Sequence, residues 1–200
     1  MEKIILKSGY DNLDIAVSVC RPKSTPIAVI QLVHGMCGCK ERFEPVMNFL
    51  SDNGIVCIAS DHRGHGESIK DIRDLGYFYS GGYKALVDDI RSVTYWGQKE
   101  FPSLPYYLLG HSMGSLAVRI YAKQDDSALS GLIICGSPSW NPMSVLGRFF
   151  TGLLCMTGFG HSRPGFLQNM TSDSYNRRFA SEGPQAWTCS DPEVRKSFRE

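Results

Sequence analysis

No apolar run in this 200-residue chain approaches the roughly 20 residues that a membrane-spanning helix needs. The most apolar late stretch, MSVLGRFFTGLLCMTGFG (143–160), is interrupted by Arg148 and by four glycines. The opening MEKIILKSGYDNLD has no apolar segment of the length a secretory signal peptide uses. Net charge is nearly missing too: 21 Lys and Arg face 20 Asp and Glu, leaving +1. That balance steers toward neither nucleic acid nor an anionic membrane. There is no C-x-x-C pair, which argues against a zinc ribbon or a thioredoxin-type site. The seven cysteines are an odd number, and several sit inside apolar runs (VSVC, GIVCIAS, LIICG), where Cys behaves as a small buried hydrophobe. With no signal peptide they read as free thiols of a cytoplasmic protein. Internal repeats and low-complexity linkers are absent.

What is present is an alternation of strand and helix patterns. LDIAVSVC (13–20) alternates apolar and polar residues, as a half-buried strand does. IAVIQLVH (27–34) and IVCIASD (55–61) are nearly continuous and β-branched, which suits strands covered on both faces. Helical spacing appears in 42–54, which stops at Asn53-Gly54, and in 84–96 and 112–124. YYLLGH (106–111) and LSGLIICGS (129–137) read as two more strands. Strict alternation after the opening strands predicts an α/β fold: a mostly parallel sheet with helices on both faces. Residues 1–137 are expected to form that core, its first six strands, of which the patterns above mark five. Residues 138–200, rich in Phe, Met, Gly and Arg, break the rhythm and read as a helical cap or lid region.

Gly110-His111-Ser112-Met113-Gly114 sits where a strand must turn sharply into a helix. Side chains at Gly110 and Gly114 would crowd that turn, so glycine is the residue that fits. Strain there projects the Ser112 hydroxyl above the sheet, where ligands of open α/β sheets bind. The competing reading is that Ser112 only caps the helix, which leaves the paired glycines without a reason. A serine nucleophile in acyl transfer needs two N–H donors aimed at the developing oxyanion. Met113, the next residue, offers one. Met36, in the turn His34-Gly35-Met36-Cys37-Gly38 after an earlier strand, offers the other. A third stretch, Asp61-His62-Arg63-Gly64-His65-Gly66-Glu67-Ser68, invites a metal reading. His62 and His65 lack partners at ligand spacing, so it reads as a structural loop, and no metal or cofactor is expected.

HGMCG, DHRGHGES and GHSMG, in that order and at these separations, resemble the α/β-hydrolase superfamily. They are most similar to its monoacylglycerol lipase and lysophospholipase branch, grouped with the serine aminopeptidase S33 hydrolases. The resemblance runs from about residue 10 to the end. It implies that Ser112 is the nucleophile, that Met36 and Met113 supply oxyanion N–H groups, and that the D-x-R-G-H-G-x-S loop is structural. It further implies that the residues after 138, including SRPGFLQNMTSDSYNRRF (162–179), form a cap over the pocket.

The chain departs from the pattern in one respect. In this fold the triad runs Ser, then Asp or Glu, then His, each at the end of a later strand. Neither the triad Asp nor the triad His is found here. His34, His62 and His65 precede the serine, and His111 adjoins it and should point away from the crevice. His161 lies in a cap-like loop, and Asp173 and Asp191 follow no strand. The expectation is therefore a longer hydrolase whose last strands lie beyond residue 200, which would leave LSGLIICGS as a bare apolar edge.

Three functions follow from these residues. The first is a serine carboxylic-ester hydrolase acting on a monoacylglycerol, a lysophospholipid or a simple ester. In that reading Val145, Leu146, Phe149, Phe150, Leu153, Leu154, Met156 and Phe159 receive the acyl chain and give transient contact with a membrane surface. The second is aminopeptidase-like cleavage of short peptides, for which Glu182, Asp173 and Asp191 are the available but unpaired carboxylates. The third is a non-catalytic fragment or pseudoenzyme that keeps the serine turn without a base.

Overall fold

The computed structural model of the chain describes residues 1–140, 143–158, 177–182, 186 and 189–197. It divides into two units, Met1–Ser139 and Trp140–Glu200. The first holds a six-stranded sheet in the order β1-β2-β4-β3-β5-β6. Its strands are β1 (Glu2–Lys7), β2 (Asp14–Cys20), β3 (Ala28–Val33), β4 (Ile55–Ser60), β5 (Tyr106–His111) and β6 (Gly131–Cys135). From β3 onward the pairing is parallel, while β1 and β2 form an antiparallel hairpin and β2 meets β4 antiparallel.

Both faces of the central strands are covered. On one face Ile30, Leu32, Cys57 and Ala59 pack with Met47 of α1 (Glu44–Asp52). On the other, Val33 and Leu108 pack with Leu86, Val87 and Ile90 of α2 (Gly82–Glu100) and with Ala117, Val118 and Tyr121 of α3 (Met113–Gln124). This two-sided burial explains why β3 reads as continuous apolar sequence, with all six of its residues buried. Gln31 is the exception in composition, and both ends of its amide are hydrogen-bonded. Its amide donates to the Ile90 carbonyl at 3.1 Å and its oxygen accepts from Thr94 (2.7 Å) and Tyr106 (2.8 Å).

Three details differ from the sequence expectation. The strand at Glu2–Lys7 was not among the segments located by pattern, because EKIILK clusters its apolar residues instead of alternating them. The helix expected over 42–54 opens as a 3-10 turn, Lys40–Phe43, with Pro45 at the start of α1. The helix expected over 84–96 runs longer, to Glu100, and stops where Pro102 follows. In the second unit, α4 (Met143–Met156) and α5 (Pro192–Ser197) flank a 3-10 segment, Arg177–Glu182. Among the described residues no helix is long and apolar enough to cross a membrane.

Candidate active site

Parallel strands β3, β4, β5 and β6 end on the same side of the sheet, so the turns that follow them converge there. Ser112 occupies the junction of β5 and α3 with φ 52° and ψ −118°, a region that a residue with a Cβ rarely enters. Its backbone is fixed on several sides. The Ser112 N–H donates to the Cys135 carbonyl at 2.9 Å, and its carbonyl accepts from the Ser115 N–H (2.9 Å) and hydroxyl (2.5 Å). The side chain makes no capping bond to α3, so the capping explanation does not account for the residue.

The flanking glycines are required by packing. A Cβ at Gly114 would collide with the carbonyl oxygens of Val33 and His34, and one at Gly110 would lie 2.5 Å from Val118 Cγ2 and 2.6 Å from the Gly114 oxygen. The turn after β3 comes equally close. The Cβ position of Gly35 is 3.0 Å from Ser112 Cβ and 3.2 Å from His111 Nδ1. The turn carrying Met36 therefore abuts Ser112. Met113 is the first residue of α3, where N–H groups have no helical acceptor. Among the described residues neither the Met36 nor the Met113 N–H is engaged in a backbone hydrogen bond.

Beneath this turn lie the side chains of the 61–68 loop, packed and paired. Arg63 is buried and bonded to Asp89, Asp11, Ser8 and the carbonyls of Phe78 and Ser80. Ser68 donates to the Asp61 carbonyl and accepts from the Ala16 N–H. His34, His62 and His65 cluster at tilted angles, with ring centroids 3.9 Å apart for the first two and 5.3 Å between His34 and His65. Burial holds all three imidazoles below their ordinary value. His34 is pushed down to about 4 by burial, helped by His65 and Arg42 and opposed by the Gly35 carbonyl and Glu41. Lys40, also buried, keeps its proton firmly. Burial disfavours the charge, but Asp61, Glu41 and Glu67 together outweigh it and raise the ammonium above its usual value. Neither Lys40 nor the His34–His62 contact was singled out from the sequence. The signal was the register of the sheet: Val33 pairs with Ser60, which sets His34 beside Asp61 and His62.

The other candidates are dispersed. His111 is exposed, and its ring lies 3.6 Å from the Cβ position of Gly136. Asp191 accepts from the Glu193 N–H at the start of α5, and Glu182 is exposed. His161, Asp173, Phe159 and most of 162–179 lie outside the described residues. All seven cysteines are free thiols.

Known proteins resemble the chain in both sequence and structure. It is 28% identical over 174 residues to a monoacylglycerol lipase of Mycolicibacterium smegmatis, covering 85% of this chain and 58% of that protein. It is 30% identical to human monoglyceride lipase over 126 residues, 62% of this chain and 40% of that one. A carboxyl esterase from Bacillus coagulans, solved with glycerol, superposes with a TM-score of 0.88 at 26% identity, over 99% of this chain and 64% of the esterase. The chain thus spans less than two thirds of each of these proteins, and it has the α/β-hydrolase fold they share. The turn at residues 34–38, the loop at 61–68 and the bend at Ser112 all fall within the span 24–200 that matches the Hydrolase_4 family, and the chain belongs to that family, the serine aminopeptidase S33 hydrolases.

Proposed function

We propose that this protein is a serine carboxylic-ester hydrolase that cleaves a lipid monoester, a monoacylglycerol or lysophospholipid, through an acyl-enzyme on Ser112. The observation that carries this is the Ser112 backbone at φ 52°, ψ −118°, with an uncapped hydroxyl and the Gly35 turn against its Cβ. A serine in that pose costs on the order of 1–3 kcal/mol of backbone strain, which a purely structural residue has no reason to bear. In the proposed reaction Ser112 Oγ attacks the ester carbonyl and loses its proton to a general base. The carbonyl oxygen becomes an oxyanion between the Met36 and Met113 N–H groups, aided by the positive end of α3. Collapse of the tetrahedral species expels the alcohol, and water then releases the fatty acid.

No described residue is assigned as the general base or its orienting acid in this reading. His34, His62 and His65 are committed to backbone groups: His34 to the Gly35 carbonyl and the His62 N–H, His62 to the His34 carbonyl across the two loops, and His65 to the Arg63 carbonyl. Unit 140–200 serves in this reading as the cap. On α4, Val145 (63% exposed), Phe149 (66%) and Met156 (87%) present apolar area with Arg148 the helix's one charged side chain, suited to an acyl chain and to transient contact with a lipid surface. A cytoplasmic location fits the free thiols.

The test is labelling and turnover of the full-length protein. A fluorophosphonate should label Ser112, and Ser112→Ala should abolish labelling and lower hydrolysis of p-nitrophenyl butyrate by about 10⁴-fold or more. Faster cleavage of an aminoacyl-anilide than of the ester would replace the esterase reading with a peptidase. Absence of labelling would leave a pseudoenzyme.

A further inference from the structure

His34 makes two ring hydrogen bonds that together determine its protonation. The backbone N–H of His62 points at His34 Nε2 at 2.9 Å. A backbone amide can only donate, so Nε2 is the unprotonated, accepting nitrogen. The ring proton of neutral His34 is then on Nδ1, which lies 2.7 Å from the Gly35 carbonyl oxygen and donates to it. That oxygen also accepts from the Gly38 N–H at 3.1 Å. The same logic fixes His62. Its Nε2 is 2.7 Å from the His34 carbonyl, an acceptor only, so Nε2 carries the proton there. The His34 carbonyl is thereby held between the His62 ring and Gly114 of the serine bend.

The Gly35 carbonyl and the Met36 N–H are the two ends of one planar, trans peptide unit. Two donors on the carbonyl oxygen fix the plane of this peptide, and with it the direction of the Met36 N–H, in the turn whose Gly35 abuts Ser112. We propose that His34 is a positioning residue for the oxyanion site: its Nδ1–H grips the Gly35 carbonyl and so orients the Met36 N–H, while the His62 amide selects the tautomer that can do this. The inference rests on the hydrolase reading above, because it assigns a role within that site.

Protonating His34 would put a second N–H at Nε2, directly against the His62 amide, and break the arrangement. The groups facing the ring bear on that step. His62 and His65 stand on the loop after β4, with Asp61 beside them, and Glu41 and Arg42 lie on the 3-10 turn. His111 approaches Gly35 from β5. Burial, helped by His65 and Arg42, keeps the ring neutral through the physiological range.

Two substitutions separate the halves of the device. Asn places an amide near the Nδ1 position, and His34→Asn keeps a donor for Gly35. Gln reaches the Nε2 position, and His34→Gln keeps an acceptor for His62 while losing the grip on Gly35. With p-nitrophenyl butyrate and the full-length protein, H34Q should lose kcat by about 10²–10³-fold with KM little changed, as for loss of one oxyanion donor. H34N should stay within about tenfold of the wild type, since its donor remains. A role confined to tying the two loops together predicts the reverse order, and equal losses or that order overturn the proposal.

A second measurement needs no turnover. Two-bond ¹H–¹⁵N spectra of the wild-type imidazoles at neutral pH and at about pH 5.5, below the ordinary histidine value, should show His34 protonated on Nδ1 and His62 on Nε2. A His34 Nε2–H tautomer, or a charged His34 at the lower pH, overturns the inference even if the variants fail to fold. A wild type with the expected tautomers but no Ser112-dependent turnover would refute the hydrolase reading, and the oxyanion role with it, leaving the ring geometry intact.

Discussion

Lys40 buries an ammonium group among carboxylates. Its Nζ lies 2.8 Å from Asp61, 2.5 Å from Glu67 and 2.8 Å from Glu41, and its backbone N–H reaches the other Asp61 oxygen at 2.7 Å. Asp61 has no side-chain exposure. The pair ties the 3-10 turn after the Met36 segment to the 61–68 loop. Removing one partner of a buried ion pair strands the other, at a cost of about 3–5 kcal/mol. Lys40→Met should therefore cost about 3 kcal/mol in urea denaturation. The double variant Lys40→Met/Asp61→Asn should recover at least about 1 kcal/mol of that loss, because the stranded charge is gone. Additive effects in this cycle would mean that the two residues do not act together. This network was invisible in the sequence for a plain reason: Lys40 and Asp61 are 21 residues apart, and nothing in KERF marks its lysine as buried. The Ser112 bend, by contrast, was legible because all its constraints are local. Strand, glycine, serine, glycine and helix occupy one short stretch, and each glycine answers to a neighbour's van der Waals surface.

Among the secondary elements, β3 and β4 were readable because burial on both faces writes continuous apolar sequence, and β5 because its apolar run leads directly into the glycine-flanked bend. β1 was not, since an edge strand of a hairpin with one half-exposed face carries only a weak pattern. The 3-10 turn ahead of α1 was missed because its spacing blends into the helix that follows. β6 is the element where the apolar pattern lacks cover. Among the described residues it pairs with β5 alone, stands at the end of the sheet, and leaves Ile133 and Ile134 43% and 47% exposed. An exposed apolar edge invites pairing with another chain. For the polypeptide of residues 1–200, Ile134→Lys should reduce self-association measured by light scattering at a given concentration. Folding stability should change by no more than about 0.5 kcal/mol, because the side chain is half in water already. Unchanged scattering would mean that β6 is not the adhesive edge.

At the scale of the whole core, acid should loosen the molecule well before its carboxylates protonate. His34, His62 and His65 all bind protons less readily when folded than an exposed imidazole does, the first at about 4 instead of 6.5, chiefly through burial. Below the unfolded value near pH 6.5 the unfolded chain holds protons that the folded one refuses, so stability is present above that pH and falls as pH drops toward 4. His34 alone contributes a loss of about 3 kcal/mol across that window, at a limiting slope of roughly 1.4 kcal/mol per pH unit, and the other two steepen it. The paired carboxylates work lower down. Asp11, Glu41 and Glu67 are each held below their ordinary values, Asp11 by Arg63 and the other two by Lys40, against the opposing effect of burial. Their stabilisation therefore disappears only as pH falls through still lower values. Urea unfolding at pH 7, 6 and 5 should show stability declining with an uptake of more than one proton per molecule on unfolding near pH 5. His34→Asn should flatten that slope by up to one proton, since it removes one depressed imidazole and leaves the other two. A stability constant between pH 7 and 5 would mean that the clustered histidines are hydrated and titrate normally, and the fixed tautomers that orient the Met36 peptide would fall with it.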